Sequence, residues 1–155
     1  SYLRWLGAGM QVPEGERDWE TYVRGVSRGF RGRIPRWIVW HIPDRDGPLS
    51  VAPAKFARML DVACREVKRY NPKAEVLVGS LSLERGVPYL AALLQASPKA
   101  KFDAVCLDLS MGNEPPEYGF LLEAVDAFRT LLKQHGVAPG SWPRTWTGRP
   151  ARGWS

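Results

Sequence analysis

Residues 37–44 read Trp-Ile-Val-Trp-His-Ile-Pro-Asp, and the reading of this stretch decides the fold. Ile34, Arg36 and Ile38 alternate with Trp37 and Val39, the period of two that marks a strand. Pro43 cannot continue a ladder, and Asp44 follows it into the turn-rich run Asp44-Arg45-Asp46-Gly47-Pro48. The stretch therefore predicts a buried strand over Arg36–Ile42 that opens at its C-terminal end into a loop.

The flanking sequence sets that strand in an alternating series. Before it, Trp19, Tyr22, Val23, Val26 and Phe30 recur at helical spacing, predicting an amphipathic helix over Asp18–Arg31 with arginines on its outer side. After it, Phe56, Met59, Leu60, Ala63, Cys64 and Val67 predict a second helix, with Ser50 as its cap and Pro53 in its first turn. Asn71-Pro72 ends that helix near Tyr70. The short apolar run Glu75–Leu81 reads as a strand buried on both faces. Val87–Ser97 reads as a helix, Phe102–Ser110 as a strand, and Phe120–His135 as a helix with Gly136 ending it. Tyr2–Val12 starts as a strand, and Arg144–Thr147 is a candidate last one. Strands and helices in strict alternation predict one α/β domain over residues 1–155, a parallel sheet of about five strands with crossover helices.

Residues 37–44 resemble the acid/base strand of retaining (β/α)-barrel glycoside hydrolases, the clan of many cellulases and xylosidases. The family pattern is Trp-Glu-(Val/Ile)-Trp-Asn-Glu-Pro-(Asn/Asp). Trp37, Val39, Trp40, Pro43 and Asp44 match it. Further on, Asn71-Pro72 leading to Val76-Leu77-Val78-Gly79 is similar to the family's next strand. Phe102–Leu107 is similar to the one after, with Asp108-Leu109-Ser110 where the family has His-Pro-Tyr. Trp146-Thr147-Gly148-Arg149, with Gly153-Trp154 beyond, falls where the nucleophile strand belongs. The resemblance implies a partial barrel spanning about the third to the seventh strand. A complete barrel of this kind takes ~200 residues or more, against 155 here.

The departures fall on the functional positions. Ile42 stands for the catalytic acid/base Glu, His41 for the preceding Asn, and Ile38 for the earlier Glu. No Asp or Glu lies between Arg144 and Ser155, so the nucleophile is missing as well. Retaining glycosidases need two carboxyl groups ~5–5.5 Å apart, one to protonate the leaving oxygen and one to attack the sugar, and isoleucine does neither. The resemblance thus implies a pseudo-glycosidase that binds carbohydrate or acts as a scaffold, with Trp37, Trp40, His41 and Trp146 as the sugar-binding candidates, because aromatic faces pack on the apolar faces of pyranose rings. The alternative is an active glycoside hydrolase using displaced carboxylates. Asp108, Asp44 and Glu84 follow predicted strands, as do Asp46, Glu114 and Glu117, and strand C-terminal loops carry function in α/β folds. The same acidic mouth could hold a divalent cation. The bland reading of each is a turn cap or a solvated charge.

Composition narrows the rest. At 45% hydrophobic and 25% charged residues, the chain has the make-up of a globular protein. Its net charge of +6 is spread from Arg4 to Arg152. Only Arg144, Arg149 and Arg152 interleave with tryptophans, without a nucleic-acid motif beside them. A basic protein- or nucleic-acid-interaction module is therefore a third reading, and nucleic acid is not the expected partner. Two cysteines, Cys64 and Cys106, and two histidines in separate segments make a poor zinc site. We expect free thiols, no metal and no cofactor. No apolar run reaches the ~20 residues of a membrane span, and residues 1–6, Ser-Tyr-Leu-Arg-Trp-Leu, lack a signal-peptide pattern. The compartment stays open. Open sheet edges would call for self-association or a complementary chain.

Overall fold

The computed structural model describes residues 15–98, 101–108 and 118–136. Among them, helices α1 (Glu16–Gly29), α2 (Pro53–Tyr70), α3 (Gly86–Ala96) and α4 (Tyr118–Gln134) alternate with strands β1 (Arg36–Val39), β2 (Glu75–Ser82) and β3 (Ala104–Asp108). The strands form a parallel sheet in chain order, β1-β2-β3. Arg36 stands opposite Glu75 and Val39 opposite Val78, while Val78 stands opposite Val105 and Ser82 opposite Asp108. This is the α/β architecture with crossover helices that the alternation predicts. The first and last predicted strands, within 2–12 and 144–147, lie outside the described residues.

The helices pack in sequence, α1 on α2, α2 on α3 and α3 on α4. With the strands added in chain order, right-handed crossovers bring successive helices to one face of the sheet. Alternation along each strand then divides the side chains. Val39, Val76, Val78 and Val105 join Phe56, Leu60, Leu90 and Phe128 in the core beneath the helices. Ile38, Leu77, Ala104 and Cys106 take the other parity. Of these Leu77 is buried, whereas Ile38 is 54% exposed.

Most helix and strand ends fall one or two residues from the sequence expectation, and three departures bear on the site. β1 ends at Val39 and not at Ile42, because Trp40 (φ 69°) and Ile42 (φ 42°) take left-handed backbone conformations. That region is open to glycine and costly for a β-branched residue. Ser50 does not cap α2; Ala52 holds that position without a side-chain bond, and Pro53 opens the helix as expected. β2 extends past Leu81 to Ser82, with a register irregularity between Val78 and Leu81.

The α1–α2 contact contains a buried charge. Glu66 is 1% exposed, in a helix face otherwise made of Phe56, Met59, Ala63 and Val67. Arg24 of α1 donates Nε to its Oε2 at 3.1 Å, and Arg65 donates Nε to its Oε1 at 3.3 Å. Both arginines also meet Glu20. Burial alone would raise the Glu66 pKa; the two arginine hydrogen bonds outweigh it and hold the carboxyl below its ordinary 4.5. A carboxylate depressed in the folded state adds stability that is fully present above its unfolded pKa and is lost as pH falls through the folded value. Stability should therefore drop across about pH 5 to 3 partly through this group. Urea titrations at pH 7 and at steps through that window would show a shallower decline in Glu66→Gln than in the parent chain. Identical slopes would remove Glu66 from the acid response.

Candidate functional site

The C-terminal end of β1 turns sharply, and that turn places its aromatic side chains. By the alternation of the strand, Trp40 would share the side of Ile38. The positive φ at Trp40 turns it toward the helices, where its ring meets Trp19 edge-on at 6.0 Å. Its indole N–H donates to the Leu49 carbonyl at 2.8 Å, tying β1 to the following loop. Trp19 donates to the Met59 carbonyl at 2.8 Å and stacks on Tyr22 at 5.8 Å. Trp37 donates to the Ile34 carbonyl at 3.2 Å. All three indole donors are thus spent on backbone, and none is left to bond a ligand.

Those rings border an apolar cleft of about 490 Å³ between α1 and β1. Trp37, Trp40 and His41, three of the four residues expected to bind sugar, all line it. The fourth, Trp146, lies outside the described residues. His41 is exposed at the rim. Sequence reading assigned Trp19 and Tyr22 only to the apolar stripe of α1, yet both line the cleft as well. Two aromatic rings three residues apart on the helix that precedes β1 were the available signal.

Asp44, Asp46, Glu84 and Asp108 lie at or after the C-terminal ends of the three strands, as expected, and the three aspartates are held by partners. Asp44 is a buried carboxylate, 8% exposed. Its Oδ2 accepts the Ser82 backbone N–H at 2.8 Å and the Ser82 hydroxyl at 2.5 Å, while Oδ1 is buried without a partner among the described residues. Ser82 Oγ in turn accepts the Arg85 N–H at 3.2 Å. Asp44 therefore fastens the β1 loop to the end of β2, a more demanding task than capping a turn. Arg45 reaches Asp108 at 3.3 Å across to β3, and Arg85 reaches Asp46 at 2.7 Å. The Asp46 pair lies in solvent, where it contributes little. Glu84 is exposed. Glu114 and Glu117 lie outside the described residues. The loop over residues 44–46 thus reaches the next two strand ends through one hydrogen-bonded and two ionic ties. No set of three His, Cys, Asp or Glu side chains among the described residues is arranged to hold a metal ion.

The remaining reactive groups are structural. Cys64 and Cys106 are free thiols. Burial, with Asp61 and Asp103 adding to it, pushes the Cys64 thiol up to about 12, so it stays protonated and inert. Cys106 Sγ lies 3.7 Å from Ser80 Oγ. Burial, then the charge of Asp44, raises the Tyr89 hydroxyl, which donates to the Val51 carbonyl at 2.6 Å. No helix among the described residues is long and apolar enough to cross a membrane.

No protein-family model, curated protein or solved structure matches this chain. A functional reading therefore rests on the residues and their geometry.

Proposed function

We propose that this chain is a non-catalytic relative of the (β/α)-barrel glycoside hydrolases and that it binds carbohydrate through the cleft between α1 and β1. The observation that carries the reading is the convergence of Trp37, Trp40 and His41 on one cleft, beside a strand end where Ile42 stands in place of a proton donor. Chain-order winding with helices on one face is the arrangement of a barrel sector, and equally of one half of a doubly wound sheet, so it agrees with the fold side of the resemblance at the level of α/β class. The commitments of Asp44 to Ser82 and of Asp108 to Arg45 favour binding over hydrolysis, since a general acid must be able to present a proton to the leaving oxygen.

The test is calorimetry and product release on one sample, with a panel of oligosaccharides and aryl glycosides. The expected result is sugar binding without turnover. His41→Ala, which alters an exposed rim residue, should weaken that binding by about two- to tenfold, the loss of one hydrogen bond. Turnover abolished by Asp108→Asn would replace this reading with an active hydrolase using a displaced carboxylate. Neither binding nor turnover would leave a scaffold and move the search to protein partners.

A further inference from the structure

We infer that the cleft takes the apolar aglycone of a glycoside, with the sugar held at the His41 end. This rests on the carbohydrate-binding reading above and assigns the part of the ligand that enters the cleft. The polarity of the lining runs one way. Toward the C-terminal ends of β1 and β2 stand His41 and Ser80. The helix side of the lining is apolar, Val23 and Val26 of α1 and Ala63 and Val67 of α2, with Trp37 near the start of β1. A free sugar lodged there would lose its water hydrogen bonds and find few replacements. The indole N–H groups of Trp19, Trp37 and Trp40 are already bound to the carbonyls of Met59, Ile34 and Leu49, and unpaired hydroxyls in an apolar site are costly. An alkyl or aryl group has no such loss. It gains contact with the apolar side chains that line the cleft, and it displaces water that the walls bind poorly. The cleft, at about 490 Å³, falls within the range of small-molecule sites. An amphiphile with an apolar body and a hydroxyl-rich head matches this gradient better than an oligosaccharide, whose every ring carries hydroxyls on its rim.

A homologous series tests it. Methyl, propyl and hexyl β-glycosides of glucose, xylose and galactose would be titrated into the full chain by calorimetry, below their micellar concentrations, with 1-hexanol as the headless control. Affinity should rise by roughly threefold per methylene along the series and should exceed that of hexanol by at least about tenfold, the yield of one or two head-group hydrogen bonds. Ile38 lines the cleft and is 54% exposed, so it can be changed without emptying the core. Ile38→Asp should flatten the series; Ile38→Thr, which keeps a β-branched side chain, should blunt it partially. Methyl glycosides that bind with no gain along the series would overturn this inference and leave carbohydrate binding standing. A rise unaffected by Ile38→Asp, or hexanol binding as tightly as the hexyl glycosides, would also overturn it. If no member of the series and no oligosaccharide binds, both readings fall.

Discussion

Phe128→Ala is expected to destabilise the protein by about 3–5 kcal/mol, the range for emptying a fully buried aromatic site. Phe128 is wholly inaccessible to solvent, and with Ala124 and Leu132 it makes the buried face of α4. Its ring lies against the first turn of α3. A methyl group built on Gly86 would come within 2.6 Å of the ring tip and 2.9 Å of the Leu81 Cβ, so glycine is what lets the ring in. α4 packs on α3, and losing its central anchor should release much of that interface. The pairing makes a sharper test than the single substitution. Gly86→Ala alone should cost about 1–3 kcal/mol by overpacking. Combined with Phe128→Ala, the same methyl enters the space the ring has left. The double variant should therefore be more stable than the sum of the single effects requires, by more than about 0.5 kcal/mol. Urea midpoints of the four chains measure this directly. Strict additivity would mean that Phe128 and Gly86 are not in contact in solution.

Phe128 was legible as an inward residue of its helix, as were the stripes of α1 and α2, because a helix with one wet side must keep its apolar residues three and four apart. The parallel strands were legible for a related reason: β2 lies beneath helices and between neighbours, so its sequence is a short, nearly unbroken apolar run. What failed was extrapolation through a backbone irregularity. Alternation carried β1 on to Ile42 and would have put Trp40 on the side of Ile38. A left-handed residue breaks the period of two, and nothing in Trp-His-Ile announces one. The acidic mouth was legible in position but not in use. Asp44, Asp46 and Asp108 lie where the chain order puts them, yet their partners Ser82, Arg85 and Arg45 come from other segments, and their pairing depends on register. Glu66 went unnoticed for a similar reason. A charge within an apolar helix stripe is tolerated only when another element supplies its counter-ion, and Arg24 sits more than forty positions away.

Gly79→Ala should cost about 1–3 kcal/mol and also disturb the cleft. Gly79 lies inside β2, where glycine normally weakens a strand, so its presence needs a local cause. The cause is the close passage of the end of β1. A methyl group on Gly79 would stand 2.8 Å from the Val39 carbonyl oxygen and 3.1 Å from that of Trp40. These are backbone atoms, which cannot rotate aside as a side-chain tip can. Either β1 moves away from β2 at its last residues, or β2 twists at the register irregularity between Val78 and Leu81. Both movements shift the turn in which Trp40 leaves the strand and takes its place against Trp19. The expected signature is thus twofold: a lower urea midpoint, and a change in near-ultraviolet circular dichroism from the Trp19–Trp40 pair under native conditions. Binding to the cleft should weaken beyond what the stability loss alone explains, because a chain that is still folded would present displaced walls. A midpoint and a tryptophan signal both unchanged by the alanine would show that the strand spacing yields at little cost. The glycine would then not be what sets the position of Trp40.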